Sequence, residues 1–127
     1  MTTGILLDTH TLIWYAENNA ELPARLAELI SETEACYISR VTLWEVAIKV
    51  GIRKMDVEPD YVAWLQAMQQ QFKLLEITDD HLTTLLTLPH HHRDPFDRLL
   101  VAQAITENLT LLSRDAHFAA YPVQVRW

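Results

Sequence analysis

The sequence predicts an α/β fold in which a central, mainly parallel sheet is sandwiched between layers of helices, built by residues 1–127 as one domain. Three observations point there. Short apolar runs recur between segments whose apolar residues repeat at helical spacing, and strands alternating with helices assemble parallel sheets. Two of these runs, Ile5-Leu6-Leu7 and Leu109-Thr110-Leu111-Leu112, lead into Asp8 and Asp115, and α/β sheets collect their ligands beyond the carboxyl ends of strands. With 127 residues, half of them hydrophobic and only two glycines, the chain can bury roughly two-thirds of its unfolded surface.

The first strand is expected at 5–8. Residues 9–18 then read as a short helix with Leu12, Ile13 and Ala16 on one side. Pro23 opens a second helix to Thr33, with Leu22, Leu26, Leu29 and Ile30 on one face and proline suited to the first turn. A short strand at 36–39 leads into a helix over 40–52, where Val41, Leu43, Val46, Ala47, Ile48 and Val50 supply a wide apolar face and Gly51 stands near the stop. Pro59 begins an amphipathic helix to about Phe72, and Leu74-Leu75-Glu76-Ile77 reads as a strand. Thr78 or Asp79 caps the next helix, which runs to Leu88 before Pro89. Beyond the polar loop His90-His91-His92-Arg93, Asp94-Pro95 reads as the cap and first turn of an apolar helix that Asn108 closes. Strand 109–113 follows, and the alternating tail Val123-Gln124-Val125-Arg126-Trp127 suits an edge strand.

The single cysteine, Cys36, excludes an intramolecular disulfide and a cysteine-built zinc site, which fits a reducing cytoplasm. The amino terminus has no basic cluster and its apolar stretch stops at Asp8, so neither a signal peptide nor a membrane span is expected. A net charge of −7 argues against a general nucleic-acid coat. It leaves a nuclease open, because acids that hold divalent cations add formal charge that the cations offset.

Taken singly, each acid has an ordinary structural role. Glu45, Lys49 and Arg53 repeat at four-residue spacing, the pattern of a solvated charge stripe. Asp94 and Asp97 suit the start of a helix, Asp115 can cap the segment Ala116 to Ala120, and Asp8 can simply end a strand.

The combination says more. The motifs are Ile5-Leu6-Leu7-Asp8-Thr9-His10, Ile38-Ser39-Arg40-Val41-Thr42-Leu43-Trp44-Glu45, Asp94-Pro95-Phe96-Asp97-Arg98-Leu99-Leu100-Val101-Ala102-Gln103-Ala104 and Leu111-Leu112-Ser113-Arg114-Asp115-Ala116-His117-Phe118. In that order, and almost end to end, they resemble PIN-domain proteins, specifically the ribonuclease toxins of VapC-like type II toxin–antitoxin pairs. Each motif is short; four in sequence are specific. For the third acid of the family Asp94 and Asp97 compete, and helix phase with Ala104 favours Asp97.

The resemblance implies a PIN-like three-layer sandwich and metal-dependent endonucleolytic hydrolysis of RNA. Asp8 and Asp97 are then the principal metal ligands, Asp115 a further ligand, Glu45 a ligand or water orienter, and Thr9 a support for a carboxylate, with Asp94 beside them. The cofactor is Mg2+ or Mn2+, hard cations that prefer oxygen ligands. Arg40, Arg98 and Arg114, each near a motif acid, are candidate RNA phosphate contacts, or else salt-bridge partners of those acids. The family implies a cognate antitoxin and a homodimer, for which the helix-borne tryptophans Trp14, Trp44 and Trp64 supply core or interface surface.

Adjacent histidines in a loop seldom point at one centre, so His90-His91-His92 is not expected to form a zinc site. Two other functions compete. A haloacid-dehalogenase-like phosphatase also begins with a strand ending in aspartate, but His10 stands where its second aspartate belongs. An inactive PIN-fold interaction module is the non-enzymatic alternative, and the presence of all four acids argues against it.

Overall fold

A computed structural model describes residues 4–127. In chain order the elements are β1 (Ile5–Leu7), α1 (Thr9–Ala16), α2 (Ala24–Glu32), β2 (Cys36–Ser39), α3 (Arg40–Gly51), α4 (Tyr61–Gln71), β3 (Lys73–Leu75), α5 (Asp79–Thr87), α6 (Pro95–Glu107), β4 (Thr110–Leu112), a 3-10 turn at Ala116–Ala120 and β5 (Val125–Arg126). Among the described residues the sheet has five strands in the order β3-β2-β1-β4-β5, and every neighbouring pair is parallel.

Strand alternation divides the core between two faces. On one, Ile5, Leu7, Ile38 and Leu112 pack with Leu12, Leu26, Ile30, Trp64 and Met68 from α1, α2 and α4. On the other, Leu6 and Leu111 pack with Leu100, Val101 and Ala104 of α6 and with Phe118 and Tyr121. The result is the expected three-layer sandwich. Cys36 sits inside it, and burial pushes its thiol up to about 12, so it packs as an apolar group. Where β1 begins, a side chain on Gly4 would collide with the carbonyl of Ala35.

Several boundaries differ from expectation for local reasons. Pro23 is the cap of α2 rather than its first helical residue. The third strand is Lys73–Leu75 instead of 74–77, because Leu75 pairs with Ser39 and β2 turns into α3 at the next residue, leaving Glu76 nothing to pair with. Likewise β4 is limited to the three residues opposite Ile5, Leu6 and Leu7. On α3 the apolar face is narrower than expected: Val41, Leu43 and Val46 are buried, whereas Ile48 is 40% exposed. Thr78 caps α5, and His81 Nδ1 returns the bond by accepting from the Thr78 N–H. No helix of the described residues is long and apolar enough to cross a membrane.

Candidate active site

In this strand order the chain runs from β1 to β2 on one side, while β4 lies on the other side of β1. The topological switch therefore falls between β1 and β4, and a crevice opens beyond their carboxyl ends. Asp8 follows β1 directly and caps α1 there; Asp115 follows β4 and caps the 3-10 turn. The cap read from the sequence for Asp115 is thus present, Asp8 caps a helix as well as ending a strand, and both residues face the crevice.

Asp8 is buried, and both its oxygens are engaged. Oδ1 accepts from the Thr11 N–H at 2.9 Å and Oδ2 from the Ser113 hydroxyl at 2.5 Å. Glu45 is also buried, at 6% exposure, so it is no member of a solvated stripe. The Thr9 hydroxyl donates to its Oε1 at 2.6 Å, and Lys49 Nζ stands 2.9 Å from its Oε2. Asp94 caps α6 with Oδ1 accepting from the N–H groups of Phe96 and Asp97. The side chain of Asp97 reaches another partner, His92, whose Nε2 is 3.1 Å from its Oδ2.

The electrostatics of Asp97 report its company. Burial, and then the negative charges of Asp94, Glu45, Asp8 and Asp115, raise its carboxyl to about 7. Burial pushes Asp115 upward as well. Hydrogen bonds from the His117 N–H, the His117 ring and His92 outweigh it and hold Asp115 below the ordinary carboxylate range. Oxygen donors from four separate elements, with more negative charge than the nearby cations cancel, fit a hard divalent cation.

His92 is a member of this cluster that the sequence reading missed. The run does not converge: His91 packs on Tyr121 at 5.3 Å, while His92 turns toward Asp97 and, at 3.4 Å, toward Asp115. His92 Nδ1 accepts from the Asp94 N–H at 3.1 Å, which leaves Nε2 as the protonated nitrogen and makes His92 a neutral donor to the acids. One atom each of His92, Asp115 and His117 lie within 4.8 Å of one another, but a nitrogen that carries its proton offers no lone pair to a transition metal. Lys49 and Ser113 were missed too. Lys49 lay within the charge stripe, and Ser113 touches Asp8 only because β4 neighbours β1.

The three arginines part company. Arg40 pairs with Glu76 at 2.7 Å. Arg98 Nη2 donates to the Leu88 carbonyl at 3.0 Å, and its Nε is buried with no partner among the described residues. Arg114 pairs with Glu21 at 2.7 Å, lies over Trp14 and lines a cleft with Asp8 and Asp115. None is a salt-bridge partner of the motif acids. Of the tryptophans, Trp64 is core, Trp14 is half-buried and Trp44 is 56% exposed against Phe96. His10, the residue that separates the Asp8-Thr9-His10-Thr11 motif from a phosphatase signature, is exposed on α1.

Comparison with known proteins agrees with this architecture. The family model described as PIN domain matches residues 5–124. The chain is 25% identical over 120 residues to Ribonuclease VapC22 of Mycobacterium tuberculosis, covering 94% of this chain and 92% of that one. Its fold is similar to a chain in the crystal structure of VapBC2 from Rickettsia felis bound to a DNA fragment from their promoter, with a TM-score of 0.75, 17% identity and 98% of each chain covered. A chain of the DNA-bound VapBC from Salmonella typhimurium superposes with a TM-score of 0.73 at 16% identity, covering 97% of this chain and 96% of that one. Matched over nearly its whole length and carrying carboxylates at the carboxyl ends of its central strands, the chain belongs to the PIN domain family.

Proposed function

We propose that this protein is a divalent-cation-dependent endoribonuclease and the toxin member of a type II toxin–antitoxin pair. The observation that carries the chemistry is the gathering of Asp8, Glu45, Asp97 and Asp115 around one crevice, where burial first, and then the charges of Asp94, Glu45, Asp8 and Asp115, raise the Asp97 carboxyl to about 7. The ribonuclease and toxin assignments draw on the named relative and on the VapBC complexes that share the fold.

In this reading Asp8 and Asp97 hold the cation, Mg2+ or Mn2+, with Asp115 as a further ligand and Glu45 as ligand or orienter of the attacking water. When bound, the cation polarises the scissile phosphate and lowers the pKa of a water. The protein's own groups set the geometry. Thr9 directs Glu45, Ser113 and the Thr11 N–H hold both oxygens of Asp8, and His92 spans Asp97 and Asp115. Lys49 offsets one charge of the cluster without entering the sheet. Arg114 is the arginine best placed for RNA, since it lines the cleft that Asp8 and Asp115 share.

An antitoxin and a second copy of the chain are the protein partners in this reading, and the cytoplasm is its compartment. The motive for a homodimer narrows to α3 and its C-cap, where Trp44, Ile48 and Ile52 recur every four residues, 56%, 40% and 58% exposed. The functional test is cleavage of single-stranded RNA by the purified protein with Mg2+, with Mn2+ and with chelator. Cation-dependent cleavage lost in Asp8→Asn supports the enzyme; a folded, cation-binding protein without cleavage would mark an interaction module.

A further inference from the structure

One cleft borders the acid cluster and has walls of a different chemistry. It holds about 220 Å³ and is lined by Asp8, His10, Trp14, Arg114 and Asp115. That is several times the roughly 30 Å³ share of a water molecule in the liquid, so it admits a planar group larger than a hydrated side-chain contact needs. Two walls are the carboxylates of the crevice; the others are two rings and a guanidinium. The His10 and Trp14 rings lie 5.7 Å apart at 37°, and Trp127 meets Trp14 edge-on at 6.0 Å. The Arg114 guanidinium sits 4.5 Å from the centre of the Trp14 ring, with Nη1 tied to Glu21.

We infer that this cleft is a subsite for the nucleotide next to the scissile phosphate of single-stranded RNA. The base stacks on the His10, Trp14 and Arg114 surface, and Arg114 takes the adjoining phosphate. The inference rests on the ribonuclease reading above. Single-stranded RNA is gripped by base stacking on aromatic rings and guanidinium planes together with charge on the backbone. The Arg114–Glu21 pair is half-exposed at both ends, so it holds little energy of its own and can exchange its carboxylate for a phosphate. Trp14 meanwhile keeps the guanidinium in plane.

The test is steady-state cleavage of a short single-stranded RNA by the whole protein in Mg2+, comparing wild type with His10→Ala, Arg114→Ala, Arg114→Lys and Trp14→Phe. Because base stacking carries ~1–3 kcal/mol, KM should rise roughly 5- to 150-fold in the two alanine variants. The Mg2+ concentration for half-maximal thermal stabilisation should stay near wild type in His10→Ala, whose side chain is outside the acid cluster. Arg114→Lys, which keeps charge but loses the plane, should recover only part of the affinity, and Trp14→Phe most of it. Unchanged KM in both alanine variants of an active enzyme overturns the subsite alone. So does a loss of affinity for a co-expressed protein partner with RNA kinetics intact. A wild type that cleaves no RNA removes the ribonuclease reading and the subsite with it.

Discussion

His92 Nε2 stands 3.1 Å from Asp97 Oδ2 and hydrogen-bonds Asp115 Oδ2 at 3.4 Å, an orientation held by the other ring nitrogen, which accepts from the Asp94 N–H. One ring nitrogen thereby lies between Asp115 and the carboxylate that the other acids disturb most. The ring so links α6 to the segment after β4. Removing it should expose the repulsion it screens.

His92→Ala is expected to lower the melting temperature without divalent cation by roughly 5–10 °C, since a hydrogen bond to a charged group contributes about 1.5–3 kcal/mol. Saturating Mg2+ should recover most of that loss. Thermal melts showing the same deficit with and without Mg2+ would mean that His92 supports the loop, not the carboxylates.

The raised Asp97 carboxyl fixes the sign of a pH effect. Unfolded, the group ionises near its ordinary value of 3.8; folded, it does so at about 7. Its contribution to stability is therefore complete below the lower value and is lost as pH rises through the upper one. Asp115 is shifted downward, so its contribution is present above the ordinary carboxylate range and disappears in stronger acid. Melting temperatures of the cation-free protein should fall between about pH 4 and about pH 7 by this linkage, and the gain from Mg2+ should grow over the same interval, because the ligand must be ionised. Parallel curves with and without Mg2+ would contradict the assignment.

Asp8→Asn and Asp97→Asn should each cut RNA cleavage by orders of magnitude with an unchanged circular dichroism spectrum, and Asp97→Asn should melt higher than wild type at pH 8 without cation. Asp94→Asn should keep most activity, because asparagine caps a helix about as well as aspartate. It also removes the negative charge that acts most strongly on Asp97, so the acid limb of its pH–rate profile should move to lower pH. A dead Asp94→Asn beside an active Asp97→Asn would exchange their roles.

Thr9→Val leaves Glu45 Oε1 without its donor in a buried site, which should cost about 1–3 kcal/mol in chemical denaturation and reduce cleavage. Thr9→Ser keeps the hydroxyl and should restore both. Equal effects of serine and valine would point to packing rather than the bond.

Trp44→Glu places a charge in the exposed stripe of α3 and should shift a dimer toward monomer in light scattering at micromolar concentration. A wild type that is monomeric under those conditions removes the proposal.

What the sequence determined by itself was local. Apolar runs and helical periods located every strand and helix, and the acid after Leu7 and the acid after Ser113 were visible at strand ends because a strand's termination is written in its own residues. Capping was equally legible for Asp94 and Asp115, since a cap bonds to N–H groups two or three residues on. Only the tertiary structure decided what depends on strand order. With β4 against β1, Ser113 reaches Asp8 across 105 residues, and with α1 beside α3, Thr9 reaches Glu45 across 36. Glu45 looked solvated because Lys49 follows at helical spacing, yet the turn of α3 off β2 buries it. His92 was one of three like residues until the Asp94 N–H oriented its ring. Periodicity specifies which face of an element is apolar; where that face lands, and which polar side chains it brings into contact, follows from packing between elements far apart in the chain.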